Sequence, residues 1–91
     1  MEYLKTAVRN ALLRIDAARA VTGDSRGGFY TKMSQGLMVR SIKIGPRAAA
    51  ILASEIEAIN AARVRGASDD EVRALVDKLH AQRQAGAQVG A

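Results

Sequence analysis

The stretch DAARAVTGDSRGGFYTKMSQG, residues 16–36, decides how this chain is read. Asp16 to Thr22 is short and alanine-rich, opens on a residue suited to helix N-capping and ends at Gly23, a residue that accepts a left-handed C-terminal stop. Ser25 can cap a second helix running to about Gln35, with Gly36 as its stop. Within that second helix, Phe29 and Met33 stand four residues apart and face one side, which turns Arg26, Tyr30 and Lys32 outward. Two helices joined by a Gly-Asp turn resemble a helix-turn-helix.

On the N-terminal side, Leu4, Ala7, Val8, Ala11 and Leu12 have helical spacing, which predicts a helix from about Leu4 to Leu13; the same residues also suit a chain that straightens before Ile15. On the C-terminal side the period changes. Ile42 and Ile44 alternate with Ser41 and Lys43, a Gly45-Pro46 turn follows, and a β-hairpin is expected to pair Ser41–Ile44 with Arg47–Ala50. Its second strand is weak by propensity, because Ala48, Ala49 and Ala50 are poor strand formers. Ser54 with Glu57 reads as a capping box opening a helix over about 55–65 that turns Ile56 and Ile59 inward and stops at Gly66. Ser68 with Glu71 reads as a second box, opening a helix to about Arg83. The small, polar residues beyond it are expected to be disordered.

The chain has 91 residues, no cysteine and a net charge of +5. That length is one small domain, without disulfides or thiolate metal sites to brace it. The charge is uneven: residues 1–47 hold nine Lys/Arg against three acids, residues 48–91 five against six. A concentrated positive patch suits phosphate neutralisation, and equally suits a plain solvated surface. Phe29 and two tyrosines are the whole aromatic complement, too few for the stacking platforms of single-strand binders, so duplex is the expected nucleic acid. The N-terminal residues include Glu2, Lys5 and Arg9 and lack the apolar core of a signal peptide, and no run approaches a membrane span. A cytoplasmic location, with the nucleoid as its DNA-bound state, and no membrane partner are expected.

Leu12 to Asn60 resembles the AlpA-like family of phage and mobile-element regulators, relatives of the MerR-type winged helix-turn-helix and of excisionases. Three blocks carry the resemblance: Thr22-Gly23-Asp24-Ser25-Arg26 leading to Phe29-Tyr30; Ile42-Lys43-Ile44-Gly45-Pro46-Arg47-Ala48; and Leu52-Ala53-Ser54-Glu55-Ile56-Glu57-Ala58. The middle block is the most specific. The chain departs from the family at Gly27-Gly28, where Ser/Thr is usual, at Met38-Val39 in place of Phe-Pro, and at Ile51 and Ile59 in place of Trp.

The resemblance implies a winged helix-turn-helix over residues 1–65, lead-in included, which with the residue pattern beyond it, an amphipathic C-terminal helix over 66–84 and a disordered tail over 85–91, gives a mainly α fold with a small β-hairpin. It implies binding of specific double-stranded DNA sites as a transcriptional regulator or an excisionase, with an integrase or other recombination protein and further copies of the chain as partners. Ser25, Arg26, Gly27, Gly28, Tyr30, Thr31, Lys32, Arg40, Lys43 and Arg47 are then the expected DNA contacts, Arg reading bases, Lys and Tyr holding phosphates, and the hairpin tip lying along the minor groove. Gly27 and Gly28 would bring backbone amides close to a phosphate, or simply fray the helix.

Val72, Leu75, Val76 and Leu79 form an apolar stripe that either packs on Ile56 and Ile59 or joins a second copy, and self-association is the expected use. His80 has no ligand cluster around it and reads as a surface or partner-facing side chain. No nucleophile stands with a partnered base and no phosphate loop follows a strand, so neither an enzyme nor a cofactor is expected. The competing expectation is a small helical interaction module whose basic half binds an acidic protein.

Overall fold

The computed structural model describes the backbone of residues 11–90 and the side chains of residues 11–85. In chain order the elements are β1 (Leu12–Arg14), α1 (Ile15–Thr22), α2 (Arg26–Ser34), β2 (Ile42–Gly45), β3 (Ala48–Leu52), α3 (Ala53–Val64) and α4 (Asp69–Gly90). The domain is mainly helical around a three-stranded antiparallel sheet of order β1-β3-β2.

The hairpin forms where its turn chemistry places it, Ile42 opposite Ala50 and Lys43 opposite Ala49, with an irregularity between Lys43 and Gly45 that shifts the register. Its weak alanine strand is the central one. Ala50 and Ile51 are fully buried there, and pairing on both sides with small side chains that let neighbours approach overrides poor intrinsic propensity.

The third strand decides the N-terminal segment in favour of the chain that straightens before Ile15. Leu12, Leu13 and Arg14 are extended and pair with Leu52, Ile51 and Ala50; residues 4–10 of the expected helix lie outside the described residues. A free edge of β3 supplies ladder hydrogen bonds that the local helical spacing cannot foresee. The same strand shifts two helix starts. α1 begins at Ile15 with Arg14 as an extended N-cap making no side-chain bond, so Asp16 sits in the first turn instead of capping it. α3 begins at Ala53, not after Ser54. Its N-cap is Leu52, without a side-chain cap, because the Ala53 amide donates to the Ala11 carbonyl at 2.8 Å and β1 does the work of a cap.

Local punctuation is otherwise as expected. Gly23 (φ 80°) and Gly36 (φ 76°) adopt the left-handed conformation that ends α1 and α2. Ser68 and Glu71 cap α4 reciprocally: the Glu71 amide donates to Ser68 Oγ at 3.2 Å and the Ser68 amide to Glu71 Oε1 at 2.9 Å. The Ser68 amide, then the Ser68 hydroxyl, holds the Glu71 carboxyl below its ordinary value. α4 continues to Gly90, past the expected end at Arg83 and through most of the expected tail; its Ala- and Gln-rich sequence is compatible with continued helix.

One core joins the layers. Ile15 and Ala18 of α1, Phe29 of α2, Leu37 to Val39 of the following segment, Ile51 of β3 and Ile56 and Ile59 of α3 pack with Val72, Val76 and Leu79 of α4. Leu75 packs at the margin of this core, half-buried. The expectation that the Val72, Leu75, Val76 and Leu79 stripe serves self-association is thereby corrected. α3 and the segment after α2 together offer one apolar surface, and the helix closes on it within its own chain.

Candidate nucleic-acid interface

The turn between α1 and α2 is fixed by charge and hydroxyl bonds. Asp24 accepts from Lys32 Nζ at 2.6 Å through one oxygen and from Thr22 Oγ1 at 2.7 Å through the other. Burial tends to raise the Asp24 carboxyl, but these two bonds outweigh it and hold the group below its ordinary value. Lys32, expected to hold a phosphate, is therefore committed to closing the turn and its charge is already matched. Ser25 Oγ accepts from the Gly28 amide at 3.0 Å. That bond takes the amide through which Gly28 would have met a phosphate, and a Cβ built on Gly28 would stand 3.0 Å from the Ser25 hydroxyl. Gly28 thus serves the cap. Gly27 is exposed, with open space where its Cβ would be.

With Phe29 wholly buried and Met33 packed against the core, α2 leaves Arg26, Tyr30 and Thr31 in solvent. Arg26 has two exposed neighbours. Its Nη1 lies 3.4 Å from Asp16 Oδ1 and its guanidinium carbon 5.9 Å from the centre of the Tyr30 ring. Asp16 also accepts from Arg19 Nε at 3.0 Å, and that bond, aided by the positive charge of Arg19 and Arg26, lowers its carboxyl below the ordinary value.

Arg26 and Tyr30 form one wall of a recess of about 180 Å³ that Arg47 of the hairpin and Arg14 of β1 also line. Arg47 and Ala49 continue into a second, more open depression of about 350 Å³ around the hairpin tip, bordered by Ser41, Lys43 and Pro46. The structure therefore brings the expected Arg26, Tyr30, Lys43 and Arg47 into one continuous surface. Arg14 belongs to that surface and was missed, because only the pairing of β1 with β3 carries it there. Neither Arg14 nor Arg47 has an ion-pair partner among the described residues.

Arg40 stands apart. It lines neither depression, and its backbone is tied to α4: its amide donates to His80 Nε2 at 3.0 Å and its carbonyl accepts from Arg83 Nη2 at 2.8 Å. His80, expected on the surface, is this half-buried acceptor. Partial burial, then the positive charges of Arg40 and Arg83, outweigh the opposing pull of Glu55 and Asp77 and hold its imidazole below the ordinary value. A depressed histidine stabilises the fold above its unfolded value of about 6.5, and that contribution is lost as pH falls through the folded value. Wild type should therefore lose part of its urea stability between about pH 7 and 5. His80→Gln, neutral throughout, should lose less, and parallel curves for the two proteins would remove His80 as the cause.

The largest cavity among those described, about 540 Å³, is elsewhere, lined mainly by Ile42, Leu52 and Leu79 with Glu55 and Arg83 at its edge. Arg83 grips buried Glu55 through two 2.6 Å bonds, so these charges neutralise one another and hold the fold. No protein-family profile, curated protein or solved structure matches the chain.

Proposed function

We propose that this chain binds specific double-stranded DNA sites as a winged helix-turn-helix protein of a phage or integrative element, acting as transcriptional regulator or excisionase from the cytoplasm, without enzymatic chemistry. α2 enters the major groove; the β2–β3 hairpin follows the adjacent backbone or minor groove. The observation that supports this reading is the shared recess, in which Arg26 and Tyr30 of α2 and Arg47 of the hairpin lie on one surface. A helix and a wing can act on neighbouring parts of one duplex only if they share a face.

Sequence information comes from α2. Arg26 lies on the exposed face of α2 near Asp16 and Tyr30, free to turn to a base edge, and Tyr30 and Thr31 supply hydroxyls beside it. Lys43, exposed by the hairpin tip, contributes charge.

Site selection followed by salt titration tests the reading. The selected duplex should bind about 10³-fold or more tighter than random duplex, with affinity falling steeply in salt. Arg26→Ala should erase about 1–3 kcal/mol of that discrimination, while Lys43→Ala should weaken all duplexes alike and lower the salt slope by about one. Equal affinity for selected and random duplex at every salt concentration would defeat the proposal and favour an acidic protein partner. Where the selected sites fall, at an attachment site or over a promoter, separates excision from regulation.

A further inference from the structure

We propose that Arg14 and Arg47 together clamp a single backbone phosphate in the recess between α2 and the hairpin. The inference rests on the duplex-binding reading and assigns that recess its ligand, a phosphodiester.

Geometry brings the two arginines together. Arg14 is the last residue of β1 and pairs with Ala50; Arg47 leads directly into β3, two residues before Ala49. Antiparallel pairing sets the end of β1 beside the start of β3, so both side chains arise from one end of the sheet and line one recess.

Charge separates their task from that of Arg26. Asp16 also lines the recess, but its carboxylate is taken up by Arg19 and Arg26. Arg14 and Arg47 are the cations of the recess left without an ion-pair partner among the described residues. Two guanidiniums present planar forks suited to phosphate oxygens, and Tyr30 provides a hydroxyl on the facing wall. Ile15 and Ala49 complete the lining with apolar surface, which excludes water from one side and strengthens the charge-assisted bonds. Two guanidiniums without counter-charges among the described residues carry two positive charges at one recess, which the negative charge of a phosphodiester offsets and an uncharged base edge does not. Asp16, beside Arg26 on the α2 side, keeps base reading and phosphate holding apart.

The test is a methylphosphonate scan of the selected duplex, one neutral linkage at a time, against wild type, Arg14→Ala and Arg47→Ala. Arg14 is exposed and makes no cap bond to α1, so its replacement should leave the thermal unfolding curve unchanged. Each variant should bind the all-phosphate duplex about tenfold or more weakly. At one linkage, the same for both variants, the methylphosphonate should weaken wild type at least as much as either substitution does and weaken each variant by less, since one arginine of the pair is already gone. Arg14→Lys should bind better than Arg14→Ala, having kept the charge, but below wild type, having lost the fork. If Arg14→Ala proves less stable, the Arg14→Lys and Arg47→Ala profiles decide alone by the same criterion. Selective binding unchanged by Arg14→Ala, or variant and linkage effects that multiply at every position, would overturn the clamp while leaving the DNA-binding reading intact. Absence of any preference for the selected duplex in wild type would overturn both.

Discussion

Removal of residues 68–91 is expected to leave a chain with no cooperative unfolding transition and no selective duplex binding. Val72, Val76 and Leu79 are at most 8% exposed and belong to one core cluster with residues of α1, α2, β3 and α3. Burial of an aliphatic side chain of this size contributes about 1.5–3 kcal/mol, so three of them amount to roughly 5–9 kcal/mol as an upper estimate. A domain of this length has only about 5–14 kcal/mol of net stability. Truncation also removes the His80 and Arg83 bonds to Arg40, leaving Phe29, Met38 and Ile56 to meet water on one side. Circular dichroism during thermal unfolding, with duplex titration alongside, provides the check. A cooperative transition and retained selective binding in the truncated chain would show that α4 is an appendage and restore its stripe as a surface for a second copy. Leu75→Glu, at a half-buried margin, should destabilise far less than the truncation.

That reversal of the role expected for α4 marks the boundary between what the sequence discloses and what it does not. Gly23, Ser25, Gly36 and the Ser68–Glu71 box act through bonds within a few residues, so their chemistry is legible from residue types at fixed offsets. Phe29 and Met33 could be assigned to the core by helical spacing alone. The apolar stripe of α4 was equally legible as a stripe. Its partner was not, since periodicity specifies that a face must be covered without specifying by what. β1 was legible only as one of two readings, for a related reason: Leu12 to Arg14 become a strand because Ala50 to Leu52 lie beside them, some forty residues on. Arg14 reaches the candidate interface through that pairing, so no local pattern could have added it to the expected contacts. Conversely, Lys32 and Gly28 met every criterion for facing phosphate except that Asp24 and Ser25 had already claimed them.

Glu55→Ala is expected to cost about 3 kcal/mol, the largest loss from any single side chain considered, because it leaves the part-buried Arg83 guanidinium, 17% exposed, without its counter-charge. Glu55 is 3% exposed and Arg83 reaches it from 28 residues away through Nε and Nη2, each at 2.6 Å. The cost arises from the charge left behind, more than from the attraction lost, and this predicts a contrast. Replacing both partners, Glu55→Met with Arg83→Leu, should recover most of the urea stability, since neither charge then remains to be solvated. The contrast extends to the β2–β3 hairpin. Arg83 Nη2 also binds the Arg40 carbonyl, two residues before β2, so the double variant should fold well yet hold that segment less firmly. Amide exchange at Ile42 and Lys43 should accelerate in the double variant, and duplex affinity should fall with no change in which sequence is preferred, since Arg26 and α2 are untouched. A single Glu55→Ala within about 1 kcal/mol of wild type would mean that water reaches Arg83 readily and the pair is peripheral. A double variant that is stable, with unaltered exchange in β2 and full affinity, would show instead that the hairpin owes nothing to Arg83.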